Sequence, residues 1–296
     1  MTYSIIARDA ATGHMGVATQ SQAFAVGSSV PWAAAGAGVV ATQSMGEPMY
    51  GDLGLSTLGA GLTAAEALEA LCSVDPRPER RQVGIIDARG GIAAYTGDAC
   101  VAAAGHLAGD SCVALANIVH GPRVWESMVE AYECSTGWLP FRLMAALRAA
   151  EAAGGDERGR RSAAVLVVRA ERSGRPWRDM ITDLRVDDRS DSVAAINHMV
   201  EHNWRYHQTV TAFEEALDGA ADAAVERLPP YPEGERLDPD LLLWRAIVLG
   251  AAGRTDEARR LGDELVRRAP HMARVARRFG ESGLVDPDLL ADVLPG

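Results

Sequence analysis

Two hydroxyls stand at the start of the chain, Thr2 and Ser4, in the stretch TYSIIAR. Two residues apart on a strand, they face the same side. Methionine before a residue as small as Thr is normally removed, which leaves Thr2 with a free α-amine. An unperturbed α-amine titrates near ~7.7–8.0, close to where a general base works best. A hydroxyl beside its own amine is therefore a nucleophile with a built-in base. The plainer reading is that many chains carry Thr in second place and do no such chemistry.

Other residues could line a site with them. Thr19-Gln20-Ser21-Gln22 closes one strand-like segment, and Thr42-Gln43-Ser44 repeats the tripeptide on another. Gln20, Ser21, Thr42 and Gln43 are read as candidate substrate-binding residues on a polar sheet face, against the alternative of solvated strand ends. Asp156, Arg158 and Ser162 gather in GGDERGRRSAA ahead of an apolar run. The Asp–Arg pair is either a structural ion pair or the orienter of a catalytic group.

Two motifs point elsewhere. Gly36-Ala37-Gly38-Val39-Val40-Ala41 matches GxGxxA, which binds dinucleotides only between a strand and a helix. Here Gly46 and Pro48 would break any following helix, so a tight turn entering a strand is expected. His198-Met199-Val200-Glu201-His202 matches HxxEH, which on a helix sets both imidazoles on one face as an inverted zinc peptidase needs. A third ligand would have to come from elsewhere, His207 or Glu214 for instance; two histidines on a solvated face explain the pattern equally well. The acidic cluster Asp183, Asp187, Asp188 and Asp191 lacks the glycine and terminal Glu of a calcium loop. No metal and no cofactor is expected.

Composition narrows the field. The net charge is -11 over 296 residues, with no basic stripe to neutralise phosphates, so neither nucleic acid nor an anionic membrane is the expected partner. All 29 basic residues are Arg, which excludes a Schiff-base or P-loop lysine. Such a chain could hold a substrate carboxylate through bidentate arginine contacts. Cys72, Cys100, Cys112 and Cys134 form no CxxC pair and read as buried thiols. No signal-like or bilayer-length apolar run occurs, so a soluble cytoplasmic protein is expected.

These residues need a scaffold. Strands are expected over Tyr3–Asp9 and His14–Ser21 as a hairpin, Val39–Ser44, the hairpin Gln82–Asp87 and Ile92–Thr96, Cys112–Val119, Ser162–Val168 and Met180–Val186. Helices are expected over Thr63–Cys72, with Thr63 and Glu66 as a capping box, and over Pro122–Tyr132 and Leu139–Ala153. Hairpins between blocks of helix favour antiparallel sheets covered by helices. From about Ser190 only helices are expected: Ser192–Tyr206, Val210–Arg227, Asp240–Gly250 and Thr255–Arg268, punctuated by Pro229-Pro230-Tyr231-Pro232. Trp244, Gly250, Gly253, Ala258 and Pro270 resemble part of the tetratricopeptide pattern. One such unit alone points to a homodimer or to packing on the main domain.

The blocks TYSIIARDAATGHMGVA, AFAVGSSVPWAAAGAGVVATQS, RQVGIIDARGGIAAYTG, GGDERGRRSAAVLVV and DLRVDDRSD, in that order, resemble a bacterial family catalogued as domain of unknown function 1028 and assigned to the Ntn-hydrolase superfamily. The resemblance covers the first two hundred residues. It implies an α+β fold, a four-layer αββα sandwich over residues 1–205, followed by an all-helical, tetratricopeptide-like domain over 206–296. It also implies hydrolysis of a small-molecule amide by an N-terminal nucleophile, Thr2 with Ser4 as alternative. Asp156, Arg158 and Ser162 would support that nucleophile, and Asn117 would be an oxyanion donor. The lysine that proteasome-like members place beside the amine is missing, and Arg8 lies at the far end of the strand. Arg161 stands where relatives tend to carry Gln, and Arg189-Ser190 where His-Pro is usual. The competing expectation is a non-catalytic binding or scaffold protein that assembles through its helical tail.

Overall fold

A computed structural model describes residues 2–230 and 238–294. Met1, and with it the question of its removal, lies outside the described residues, as do Tyr231 and Pro232 of the proline-rich punctuation. The chain divides into two compact units, 1–201 and 202–296.

The first unit is a mixed α+β domain with two antiparallel sheets. Strands β1 (Thr2–Arg8), β2 (Met15–Ser21), β3 (Pro31–Ala34) and β4 (Gly38–Ser44) come first, then helices α1 (Met49–Gly59) and α2 (Ala64–Val74). Next are β5 (Arg81–Asp87), β6 (Ile92–Thr96), β7 (Ala104–Ala108), β8 (Cys112–Asn117), α3 (Arg123–Cys134) and α4 (Leu139–Ala152). The series ends with β9 (Ser162–Val168), β10 (Met180–Val186) and the first turns of α5 (Ser192–Leu217). One sheet has the order β10-β9-β2-β1-β8-β7, the other β3-β4-β5-β6.

Period-two alternation sorts the side chains into three cores and hence four layers. Tyr3, Ile5 and Ala7 of β1 pack outward with Met128, Leu143 and Leu147 of α3 and α4. Ile6, Val17 and Leu115 face inward against Val39, Ala41 and Ile86 of the second sheet. Val40, Val83 and Ile85 face the other way, onto Leu58, Ala67 and Leu71 of α1 and α2. Helix α2 starts as its sequence predicts: the Thr63 hydroxyl accepts from the Glu66 N–H, and the Glu66 carboxylate accepts from the Thr63 N–H.

Helix α1 interrupts the glycine-rich stretch after β4. Gly51 sits where a Cβ would fall 2.2 Å from the indole of Trp32, so the helix tolerates a weak former because β3 packs on its backbone. The GxGxxA segment spans the turn between β3 and β4, with Gly36 at φ +68, and no helix follows it directly. It is a hairpin turn.

The second unit is helical: the end of α5, then α6 (Ala221–Arg227), α7 (Pro239–Ala251), α8 (Thr255–Arg268), α9 (Met272–Glu281) and α10 (Pro287–Val293). The expected helix over Val210–Arg227 breaks at Gly219, φ +87. Its core holds Phe213, Leu242, Ile247 and Leu265. Gly262 lets α10 touch α8, since a Cβ there would meet the Val293 carbonyl at 1.9 Å. No described helix is long and apolar enough to cross a membrane.

Candidate active site

Strand register carries the hydroxyls to one place. Thr2 lies opposite Ser21 on β2 and Asn117 on β8; Ser21 in turn lies opposite Ser162, and Asn117 opposite Ala104. Ser4 lies opposite Thr19 and Leu115, and Leu115 opposite His106. Both rows share the parity of Ile6, so they point between the sheets. On the facing sheet Gln43, Gln82 and Thr96 make a third row. A polar layer thus closes one end of the apolar inter-sheet core.

Its hydrogen bonds fix the orientation of every amide. Gln82 Nε2 lies 3.0 Å from the Gly105 carbonyl, 2.9 Å from the Ala116 carbonyl and 3.0 Å from Thr96 Oγ1. Carbonyls only accept, so this end of Gln82 is the NH2. Its Oε1 then accepts from Asn117 Nδ2 at 2.9 Å and Gln43 Nε2 at 2.7 Å. Gln43 Nε2 also donates to the Thr2 carbonyl at 3.1 Å, and its Oε1 accepts from Ser4 Oγ at 2.6 Å. Ser4 has one proton and gives it to Gln43. Its 2.8 Å bond to Thr19 must therefore be donated by Thr19.

That order separates the two candidate nucleophiles. Ser4 is fully buried, with its proton committed to an amide oxygen. Thr2 is 7% exposed at the rim of the layer, and among the described residues its hydroxyl meets the Ser21 hydroxyl alone, at 3.2 Å. Asn117 stands beside Thr2 on the same face. It spends one amide proton on Gln82, and the other has no acceptor among the described residues.

The remaining predicted residues divide. Ser21 belongs to the layer and also accepts from the Ala23 N–H at 2.9 Å. Gln43 is central to it. Gln20 and Thr42 are not part of it: with the opposite parity they point to the helical layers, which corrects their assignment to a shared polar face. Gln20 Nε2 reaches the Gly159 carbonyl at 3.4 Å, while its buried Oε1 has no partner among the described residues. Thr42 donates to the Glu47 carbonyl at 3.2 Å and holds the turn after β4. The repeated Thr-Gln-Ser tripeptide thus sits in opposite phase on β2 and β4.

Ser162 donates to the Ala23 carbonyl at 2.6 Å and accepts from the Val26 N–H at 3.0 Å, so it clamps the segment after β2. Asp156 accepts from the Gln22 N–H at 3.0 Å and the Arg158 N–H at 2.8 Å, with the Arg158 guanidinium 3.7 Å away. Burial raises the Asp156 pKa, partly offset by those N–H groups and by Arg158. These three residues shape the loop beside Thr2 rather than touching its hydroxyl.

Three non-glycine residues with positive φ lie where strands of the site end: Ala25 (φ 52), Ser44 (φ 71) and Ile118 (φ 53). A β-branched residue in this region is an outlier. Ile118 directly follows Asn117, at the point where the chain turns away from the site. Such strain gathers at functional sites.

Gln82 and Thr96 escape a reading of the sequence, because polar residues at strand termini look solvated. Beside them, between the end of β6 and the start of β7, is a cavity of about 490 Å³ lined by Thr96, Asp98, Cys100, Ala104 and His106 among others. No arginine lines it.

The HxxEH histidines gain no third ligand: among the described residues, no three His, Cys, Asp or Glu side chains converge on a metal-sized site. Glu201 instead accepts from Asn197 at 2.8 Å, and His202 lies against Tyr206. Three residues of the acidic cluster, Asp183, Asp188 and Asp191, form surface pairs with Arg185, Arg161 and Arg189. Of the four free thiols, Cys112 is buried and pushed up to about 12 by that burial. Cys72 and Cys100 are half-buried and Cys134 is exposed, so burial holds for one of the four expected.

The family described as "Family of unknown function (DUF1028)" matches residues 2–196. A crystal structure of protein SPO2555 from Silicibacter pomeroyi, of the same DUF1028 family, is 30% identical, with a TM-score of 0.62 over 68% of this chain and 88% of that one. No curated protein matches.

Proposed function

The chain belongs to the DUF1028 family, and from that premise we propose that it is an N-terminal-nucleophile amidohydrolase acting on a small-molecule amide, with Thr2 as nucleophile. The observation that carries the reading is the contrast between Thr2 and Ser4. Thr2 opens a central strand on the inter-sheet face and is the rim hydroxyl of a layer in which Ser4 is sealed by Gln43 and Thr19. The sandwich also resembles the Ntn-hydrolase arrangement in its order of layers.

The chemistry follows from these groups. Once Thr2 is the first residue, its α-amine takes the Oγ1 proton as Oγ1 attacks the substrate carbonyl. The unspent Asn117 N–H stabilises the oxyanion. The protonated amine gives its proton to the leaving nitrogen, and water, activated by the same amine, hydrolyses the Thr2 ester. No lysine stands in the chain to assist the amine. Asn117, Gln43 and Gln82 supply neutral, pre-oriented dipoles in place of a buried cation.

Intact mass of the purified protein, read with turnover of an amide panel, tests this. The expected mass lacks Met1, and Thr2→Ala abolishes whatever turnover is found. A mature chain that retains a residue ahead of Thr2 would put the amine on the wrong residue and sink the mechanism. Indifference of turnover to Thr2→Ala would do the same and favour a binding or scaffold protein.

A further inference from the structure

The cavity between β6 and β7 opens to solvent, where Asp98, Ala102 and His106 are exposed, but its wall continues the rows of the site. Ala104 lies in the same row as Asn117 and Thr2, and His106 in the row of Leu115 and Ser4, all facing between the sheets. One strand, β8, separates Ala104 from Thr2. At about 4.8 Å per strand spacing the cavity begins about 10 Å from the nucleophile. That is within the length of a small amide. The volume, about 490 Å³, falls in the range of small-ligand sites.

Its wall is tied to the site by side chains. His106 Nδ1 is 2.8 Å from Thr96 Oγ1, which is 3.0 Å from Gln82 Nε2, and Gln82 Oε1 holds Asn117 and Gln43. The bond between Thr96 Oγ1 and His106 Nδ1 runs in the direction that the imidazole tautomer sets. The other imidazole nitrogen is left free of that bond. The loop that closes the cavity hangs from β5 and the turn before it, through Gly97 N–H to the Arg81 carbonyl and Ala99 N–H to the Glu79 carbonyl, both 2.9 Å. Among the lining residues the one formal charge is the Asp98 carboxylate. A carboxylate-bearing substrate would meet repulsion there, and an ammonium group attraction.

We propose that this cavity binds the ammonium-bearing end of the amide substrate, with Asp98 as the specificity-determining carboxylate. The assignment rests on the Thr2 hydrolase reading for its orientation, but the binding itself is measurable without turnover.

The test uses the full chain carrying Thr2→Ala and three matched probes: N-acetylethylenediamine, N-acetylethanolamine and N-acetylglycine. Backbone amide NMR shifts of Gly97, Gly105 and His106 report occupancy. N-acetylethylenediamine is expected to bind at least threefold tighter than the ethanolamine compound, and N-acetylglycine weakest. Asp98→Asn is expected to remove the preference for the ammonium probe and leave N-acetylethanolamine unchanged. Equal or tighter binding of N-acetylglycine, shifts confined to other residues, or no shift with any probe would each overturn the assignment. Because these probes are too short to reach Thr2 from Asp98, their binding tests the cavity alone, and an amide panel with the unmodified protein tests the hydrolase.

Discussion

At the scale of single residues, the two hydroxyls of β1 should separate cleanly. Thr2→Ala removes a rim hydroxyl with one hydroxyl neighbour, so stability should change by less than about 1 kcal/mol while turnover is lost. Ser4→Ala instead leaves the buried Gln43 Oε1 without its donor, which should cost about 1–3 kcal/mol. Turnover should survive in the folded fraction. Urea midpoints measured beside activity show the two patterns; loss of turnover in Ser4→Ala at full stability would reverse the assignment of the nucleophile. The acid limb of the rate should follow deprotonation of the Thr2 amine. A rate profile that shows no acid limb between pH 5 and 9 would mean a different base. Thr2 and Ser4 are legible in the sequence because they stand two apart on one strand, whereas Asn117 comes only from the family resemblance, and Ser21 and Gln43 are found without their phase. Gln82 is not, since Arg-Gln before an apolar run looks like a solvated strand end. Only the opposing sheet shows that it is the hub holding Asn117 and Gln43. The phase of Thr42-Gln43-Ser44 was equally hidden: the tripeptide matches Thr19-Gln20-Ser21, but which parity faces the core depends on the sheet it joins.

At the scale of elements, the hairpins β1–β2 and β5–β6 and the strands β9 and β10 are readable because apolar periodicity and glycine turns coincide there. The elements that sequence patterns miss are those whose composition is explained only by packing. Strand β3 is four residues of Pro, Trp and Ala, and α1 carries glycines that admit the Trp32 ring. Strand β7 is a short edge strand with a mostly half-exposed or exposed pattern; it carries Ala104 and His106 into the cavity all the same. The turn after β2 offers a test at this scale. Ala25 sits at φ 52 and ψ 48, a left-handed conformation that costs an L-residue roughly 1–2 kcal/mol. Ala25→Gly removes that penalty against a smaller loss of unfolded-state restriction, so it should stabilise the protein by about 0.5–1 kcal/mol. The turn is pinned by Ser162 through the Ala23 carbonyl and the Val26 N–H. Ser162→Ala should therefore cost about 1–3 kcal/mol. A denaturation series on both variants should show opposite signs; a destabilised Ala25→Gly would mean that the backbone is held there by something other than strain.

At the scale of the whole molecule, acid stability turns on two carboxylates that folding treats in opposite ways. The Arg81 guanidinium, 2.7 Å from Asp75, lowers that carboxyl to about 2. The pair is buried and anchors the start of β5, since Arg81 also donates to the Met45 carbonyl at 2.6 Å. Folding therefore favours the ionised Asp75. Its contribution, on the order of 2 kcal/mol, is present above the unfolded carboxyl pKa near ~3.9 and is lost as the pH falls through about 2. Asp156 behaves conversely, because burial raises its pKa in the folded state. Folding favours its protonated form, so its contribution is full below ~3.9 and is lost as pH rises through the raised folded value. Acidification thus takes stability away at Asp75 and returns some at Asp156, in adjoining pH windows. Asp75→Asn should lower stability at pH 7, where Arg81 is left buried without its charge partner, and should flatten the fall between pH 4 and 2. Asp156→Asn should remove the counter-trend and leave the low-pH fall unchanged. Urea midpoints at pH 7, 5, 4, 3 and 2.5 for the three proteins resolve the two contributions. A wild-type curve that falls no more steeply than Asp75→Asn below pH 4 would show that the Asp75–Arg81 pair does not govern the acid limit. The exposed pairs, such as Arg189 with Asp191, sit in water and add little to this balance.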